Sequence, residues 1–337
     1  MAIITKDSIN QFVAENNPRA ITQTGYWLDI EKANQKKAFI IYTTNKSEIT
    51  ASVLLVKQSL PFNKNYLYAP YGPVIRKNLA HNQIGPAIEN LILEIKKFIN
   101  LQNTIFIRFE PFYQDCHSIY DAMLNTGFKA THEYTQPKDT LILNLQQTED
   151  QIFRSFHQKT RYNIRLAHKR NIKVHKSTEI SEIKYFYQLL LNTCDRNKIR
   201  PHPQKHYQNI LKILGPKDIA YVYHAYHDKK IIASIIVTYF GGVASYLHGA
   251  SSNTYRNLMP NYALQWQAIR DAISKECRFY DFGGIAPAGS PANHPWMGIT
   301  KFKQGFNGIE VPTMGHLEKT LSPFWYFAYK TARSIQK

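Results

Sequence analysis

Cysteine is scarce in this chain. Its 337 residues include three, Cys116, Cys194 and Cys277, an odd and widely spaced set with no C-x-x-C pair. No disulfide framework can be built on such a set, and the thiols read as reduced, in a reducing compartment. Long apolar runs are missing too. No stretch approaches the length of a membrane span, and the opening MAIITKDSINQF lacks the charged-then-apolar layout of a secretion signal. The expected compartment is the cytosol. Acidic residues are also sparse: 24 Asp and Glu stand against 42 Lys and Arg, a net charge of +18. That balance attracts polyanions, whether nucleic acid, nucleotide-linked substrates or an anionic membrane surface, although a solubility requirement would produce it as well. The chain does have core material. With 44% apolar and 13% aromatic residues, intrinsic disorder is excluded, and the length suits two ordinary domains or one large one.

An internal echo organises the sequence. Residues 49 to 56 read ITASVLLV and residues 231 to 238 read IIASIIVT, each after a lysine-bearing polar turn, NKSE and DKK. YLYA (66 to 69) follows the first and YLHG (246 to 249) the second. Each copy continues with a polar loop, a helical stretch (NQIGPAIENLILEIKKFIN, NYALQWQAIRDAISKE) and a strand (TIFIRFEP, CRFYDFGG). Apolar runs flanking a turn predict a meander, and the helix and strand beyond make each unit mixed α/β. Five elements in matching order point to tandem duplication. The fold class is α/β with mixed (α+β) sheets, in two tandem domains of the GNAT acyltransferase type. The join is expected near QPKDTLILNLQQTED, giving a first domain of residues 1–145 plus 315–337 and a second of 146–314. Thr148-x-x-Gln151 reads as a capping box opening the next helix.

A glycine-rich phosphate loop is the next absence. A CoA-dependent acetyltransferase needs an Arg/Gln-x-x-Gly-x-Gly/Ala loop, because backbone amides must approach pyrophosphate closely. The corresponding RNLMPNYA keeps Arg256, but Met259 and Asn261 fill the glycine positions and Pro260 removes an amide donor. The fold suggests acyl transfer while this loop argues against CoA, and no cofactor is implied.

Several side chains stand out on their own. In a helix from about Thr148 to His168, Arg154, Gln158, Arg161, Arg165 and Lys169 recur every three or four residues, with Arg170 extending the basic stripe. Such a stripe suits RNA phosphates or a pyrophosphate, or is simply a solvated helix face. In ITKFKQGFNG, read as a strand, Lys301 and Lys303 share one face and Phe302 the other. A lysine among aromatics is partly desolvated and acts at close range, unless it snorkels to the surface. Asp281 ends a strand before Gly283 and Gly284, glycines that permit a tight exit and a close substrate approach. It either orients Lys303, takes a proton, or caps the loop amides. His202-x-x-x-His206 near Cys194 has metal-ligand spacing, but Pro203 between the histidines and the lack of a fourth ligand argue against a metal site. The tail SPFWYFAYKTARSIQK either lies on an anionic membrane or docks its aromatics back onto the first domain.

Taken together, YLYAPYGPVI (66 to 75), IRFEP (107 to 111), QPKDTLILNL (136 to 145), FHQKTRYNIRLAHKRNI (156 to 172), YLHGASS (246 to 252), YDFGGI (280 to 285) and KFKQGFNG (301 to 308) resemble the FemABX family, in the family's order. These aminoacyl-tRNA-dependent peptidyltransferases build peptidoglycan cross-bridges, have two GNAT-like domains and use the ester of a charged tRNA as donor. The resemblance implies the compact type without a coiled-coil arm, acting as a monomer on a UDP-linked or lipid-linked muropeptide, with possible contact to the membrane surface. It assigns the family's Phe-Lys pair to Phe302 and Lys303, with Lys303 stabilising the oxyanion of the tetrahedral intermediate. It puts a muropeptide against His202, where the family has arginine, against His206 or Tyr207, and against His248, where it has tyrosines. Tyr71, Gly283 and Gly284 join the substrate contacts. Asp29 or Glu31 meets a position where the family uses a lysine. Arg154, Arg161, Arg165, Lys169 and Arg170 become tRNA contacts. The other readings are a GNAT-fold acyltransferase with a CoA or carrier-protein donor, and a noncatalytic RNA-binding module.

Overall fold

The computed structural model describes residues 4–113, 117–131, 135–197 and 200–335. It is mixed α/β and divides into two compact units, Met1–Lys138 with Pro312–Lys337, and Asp139–Val311. The joins expected at 145 and 314 therefore fall at 138 and 311. The reason is that the strand Asp139–Asn144, which holds all of TLILNL but Leu145, pairs antiparallel with Phe279–Ile285 and belongs to the second sheet.

The first unit's sheet runs Ala38–Asn45, Glu48–Leu60, Lys64–Tyr71, Thr104–Pro111, His316–Thr320 and Lys129–Thr131, with Val74–Ile75 paired to Glu48–Leu60. Lys64–Tyr71 and Thr104–Pro111 are parallel, and the helix His81–Phe98 connects them. Ile88, Leu91, Ile92 and Ile95 line one face of that helix and pack on Val53, Leu55, Leu67 and Ile107. Each such buried side chain contributes about 1.5–3 kcal/mol.

The second sheet runs Ile309–Pro312, Asp139–Asn144, Phe279–Ile285, Val243–Ser251, Lys230–Phe240, Ala220–His227 and Lys173–Ser177. Here Val243–Ser251 and Phe279–Ile285 are parallel, joined through the helix Pro260–Ser274. Its Leu264, Ala268 and Ala272 belong to a core that includes Ile235, Val237 and Tyr280.

The echoed segments thus occupy equivalent elements. Even their turns agree: Lys46 and Ser47 (φ 48° and 69°), like Asp228 and Lys229 (φ 46° and 65°), carry positive φ at both central positions, the mark of the hairpin turn that matches strand twist.

Cys194 and Cys277 are buried free thiols, while Cys116 lies outside the described residues. Among the described residues no helix is long and apolar enough to cross a membrane. The final helix Pro323–Ile335 packs Tyr326 and Tyr329 on Phe106 of its own unit, at ring-centroid distances of 5.5 and 5.1 Å. That is the docking arrangement, although Phe324 and Phe327 stay exposed.

Candidate active site

Lys303 does not sit on a strand. The segment Met297–Gln304 is a helix, so Lys301 and Lys303, two residues apart, diverge: Lys301 is exposed and Lys303 buried. Thr300 anchors the helix by accepting from the Ala286 amide at 2.8 Å. Phe302 and Phe306 pack edge-on to one another at 5.5 Å and meet Tyr262 at 4.9 and 6.0 Å. Gly305 ends the helix where a Cβ would stand 2.4 Å from Thr160 Oγ1. Its carbonyl accepts from the His157 amide at 3.0 Å.

The Lys303 amine reaches the ends of the two parallel strands. These pair from Val243 to Ser245 against Phe279 to Asp281, and beyond those residues the ladder stops. Lys303 Nζ donates to the Gly284 carbonyl at 2.6 Å and lies 5.6 Å from the Tyr246 ring centroid. Asp281 Oδ1 accepts from the Gly283 amide at 2.8 Å. Its carboxylate therefore caps the glycine turn while also acting electrostatically on Lys303. Gly283 has φ +70°, and a Cβ there would lie 3.3 Å from the Tyr246 carbonyl and 3.9 Å from the Lys303 amine. A side chain would be both strained and in the way. Burial pulls the Lys303 amine down to about 8, and Asp281 opposes that pull. The result is a cation in a low-dielectric niche, close to its titration point at neutral pH.

The histidine positions form a second cluster in the same unit. His202 and His206 rings are 4.4 Å apart, His206 and Tyr207 are 5.3 Å apart, and His248 stands edge-on to Tyr207 at 5.0 Å. Burial, with the nearby His202, lowers His248 to about 3, so its imidazole is neutral. Burial raises the Tyr207 hydroxyl to about 12. His248 lies two residues beyond Tyr246 on one strand, and the register against Lys230–Phe240 slips between them. A single irregular strand thus carries a contact of Lys303 and a member of the histidine cluster. Among the described residues no group of three or more His, Cys, Asp or Glu has the arrangement to hold a metal ion.

Tyr71 belongs to the first unit, where its ring packs 4.3 Å from Phe112. Asp29 pairs with Lys6, and Glu31 accepts from Trp27 Nε1 at 3.1 Å and pairs with Lys36. The basic stripe differs from expectation. Its helix is broken into Glu149–Ser155 and Gln158–Lys169, with Phe156 extended between them (ψ 151°). Arg161 donates to the carbonyls of Phe156 and Arg154, tying the break together. Arg165 lies over Phe153 at 5.2 Å, and Arg154 pairs with Asp150 at 2.9 Å. Lys169 and Arg170 are exposed.

Sequence reasoning missed two groups. One is Tyr246, whose hydroxyl fills the space beside Gly249 and is raised to about 12 by burial. The other is a carboxyl network in the first unit. Glu110 is buried, accepts from Tyr68 at 2.6 Å and from the amides of Thr135 and Gln136, and faces His316 at 3.1 Å. Burial raises its pKa against those hydrogen bonds. The available signal was Arg108 and Glu110 sharing one face of a strand buried along its whole length.

Paired sheets of this topology define a tandem acyltransferase fold. The structure superposes on that of FemX with a TM-score of 0.85 at 18% identity, covering 97% of this chain and 98% of the other. It also resembles a tandem GNAT protein from the clavulanic acid biosynthesis pathway, with a TM-score of 0.57, 12% identity and 94% of each chain covered. The chain matches the FemAB family over residues 4–230 and 217–334 and belongs to that family. It is 24% identical over 272 residues to the Lipid II:glycine glycyltransferase of Staphylococcus haemolyticus, a match covering 59% of this chain and 64% of that protein. The matches span about half to two thirds of the length of this and the next such relatives.

Proposed function

We propose that the chain is an aminoacyltransferase that moves an amino acid from aminoacyl-tRNA to the side-chain amine of a peptidoglycan-precursor stem peptide, building the interpeptide bridge. The observation that carries this reading is Lys303, a buried cation bonded to Gly284 where two parallel strands part. In the reaction the acceptor amine attacks the ester carbonyl carbon, and the resulting oxyanion needs a preorganised positive charge. Lys303 supplies it. The C–O bond to the tRNA ribose then breaks, the ribose oxygen takes up a proton and the amine gives one up. Asp281 keeps the Gly283 turn in shape and favours the protonated state of Lys303, a positioning role. Phe302 holds the lysine's helix to the core. His202, His206, Tyr207 and His248 are the acceptor contacts, aromatic where the family's arginine and tyrosines stand, with Gly283 and Gly284 leaving room for the acceptor.

Of the basic stripe, Arg154, Lys169 and Arg170 are the tRNA phosphate contacts, and Arg161 and Arg165 support them by bracing the broken helix. A CoA donor fits poorly. Met259 is in the left-handed conformation (φ 59°) ahead of the helix Pro260–Ser274, so a side chain fills the turn and proline opens the helix. The test is transfer of a labelled amino acid from a panel of charged tRNAs to UDP-linked and lipid-linked muropeptides. Incorporation abolished by ribonuclease supports the proposal. Incorporation that survives ribonuclease, or none with any acceptor, refutes it.

A further inference from the structure

The first unit carries an aromatic patch that the proposed chemistry does not use. Phe62, at the tip of the hairpin between Glu48–Leu60 and Lys64–Tyr71, is 80% exposed. Phe324 and Phe327, one helical turn apart on the final helix, are 74% and 73% exposed. Trp325 joins the two elements, 5.8 Å from the Phe62 ring and 5.6 Å from Phe324, with Lys64 5.0 Å above its ring. The helix is already docked by Tyr326, Tyr329 and the Lys330–Glu318 pair, so Phe324 and Phe327 are not needed to hold it. Three phenylalanines at such exposure form a patch of the kind that marks an interaction surface.

The patch has a charged neighbour. A groove of about 460 Å³ reaches the same hairpin at Asn63 and Lys64 and is lined by Lys36, Lys37, Lys57 and Lys64. Lys36 pairs with Glu31 there. Arg333 adds a basic residue to the last turn of the aromatic helix.

We propose that this face is a docking surface for an anionic lipid bilayer, with Phe62, Phe324 and Phe327 entering the headgroup–acyl boundary and the lysines meeting lipid phosphates. The occupant follows from complementarity: aromatic side chains partition into the boundary region, and clustered lysines are attracted by anionic headgroups. This goes beyond aminoacyl transfer, and its test does not depend on the reaction.

The full chain is sedimented with vesicles of phosphatidylglycerol mixed with phosphatidylcholine, and with phosphatidylcholine alone, at low and high salt. Binding should require the anionic lipid and weaken with salt. Joint substitution Phe62→Ser, Phe324→Ser and Phe327→Ser should lower partitioning by about a hundredfold or more. Lys37→Glu with Lys57→Glu should lower it by about tenfold or more. Brominated lipid should quench Trp325, read as the difference from Trp325→Phe. Failure of the parent chain to bind anionic vesicles overturns the proposal, as does undiminished binding by both variants. A concentration-dependent dimer that the phenylalanine variant abolishes assigns the face to a second copy instead. Should the triple variant misfold, the lysine variant and the quenching of the parent chain decide.

Discussion

Replacing Lys303 by methionine should stabilise the protein while abolishing its activity. The amine titrates near about 8, against a usual lysine value of 10.5, because burial penalises its charge more than Asp281 rewards it. That gap corresponds to about 3 kcal/mol. Below about pH 8 the amine is protonated in both folded and unfolded chains, and the folded chain bears the whole penalty. As pH rises through 8 the folded amine releases its proton while the unfolded one keeps it to about 10.5. The unfolded state then binds more protons, so stability climbs with pH across that window. Methionine fills a similar volume without the charge. Denaturant unfolding of parent and variant should show the variant ahead by up to about 3 kcal/mol at neutral pH, an advantage shrinking by about 2 kcal/mol by pH 9.5. Transfer by the variant should fall by about a hundredfold or more, as for loss of an oxyanion donor. A variant no more stable than the parent at neutral pH, or an advantage independent of pH, would refute the buried cation. Transfer within a few-fold of the parent would refute its catalytic use.

Gly283→Ala forces a side chain into a left-handed position facing the Tyr246 carbonyl and the Lys303 amine; transfer should drop at least about tenfold at saturating tRNA, and an unchanged turnover would mean that the strand ends are not where the reaction occurs. Arg161→Ala should cost about 1–2 kcal/mol of unfolding free energy, because it strips the bonds bracing the helix break. Lys169→Ala with Arg170→Ala should leave stability within about 0.5 kcal/mol yet reduce the salt slope of tRNA binding by roughly two counterions. Stability losses in the reverse order would overturn that division. Glu318→Ala leaves the buried Arg108 guanidinium without its carboxylate and should destabilise by about 3–5 kcal/mol, whereas Glu48→Ala, which breaks the more exposed pair with Arg76, should cost about 0–1 kcal/mol; similar melting of the two variants would contradict the difference in burial.

Much of the site was legible as residue types and little of it as geometry. Lys303 and the glycines stand in a motif, but the alternation Lys301-Phe302-Lys303 reads as period two. The four-residue spacing of Phe302 and Phe306, which pack on each other, carried the helical period instead. In the basic stripe, Ile152 and Phe156 fit one continuous helix. The chain breaks there because the His157 amide is taken by the Gly305 carbonyl, some 150 residues away, and no local pattern announces such a partner. His202 and His206 stood out by their spacing, but their meeting with His248 was reachable only through family resemblance, since His202 precedes the helix Gln204–Leu214 and His248 lies on the strand Val243–Ser251.

The duplication was readable up to the strands TIFIRFEP and CRFYDFGG and failed immediately after them, for a reason built into the topology. The strand beside Phe279–Ile285 is Asp139–Asn144, which follows the first copy in sequence, and the strand beside Thr104–Pro111 is His316–Thr320, which follows the second. Each sheet is thus completed by the strand that simple succession would have given to the other. A boundary drawn where the first copy runs out, at 145, assigns TLILNL to the wrong sheet. The exchange also makes the first unit discontinuous. Arg108 is buried in the middle of its sheet, and its carboxylate partner lies 210 residues later. A lone buried guanidinium is too costly to persist. The first unit therefore cannot finish its core from the first 138 residues, and contacts of such long sequence separation form slowly. Completion of the first unit's sheet has to wait until the strand His316–Thr320 has been synthesised, even though each unit's meander and helix can form locally before then.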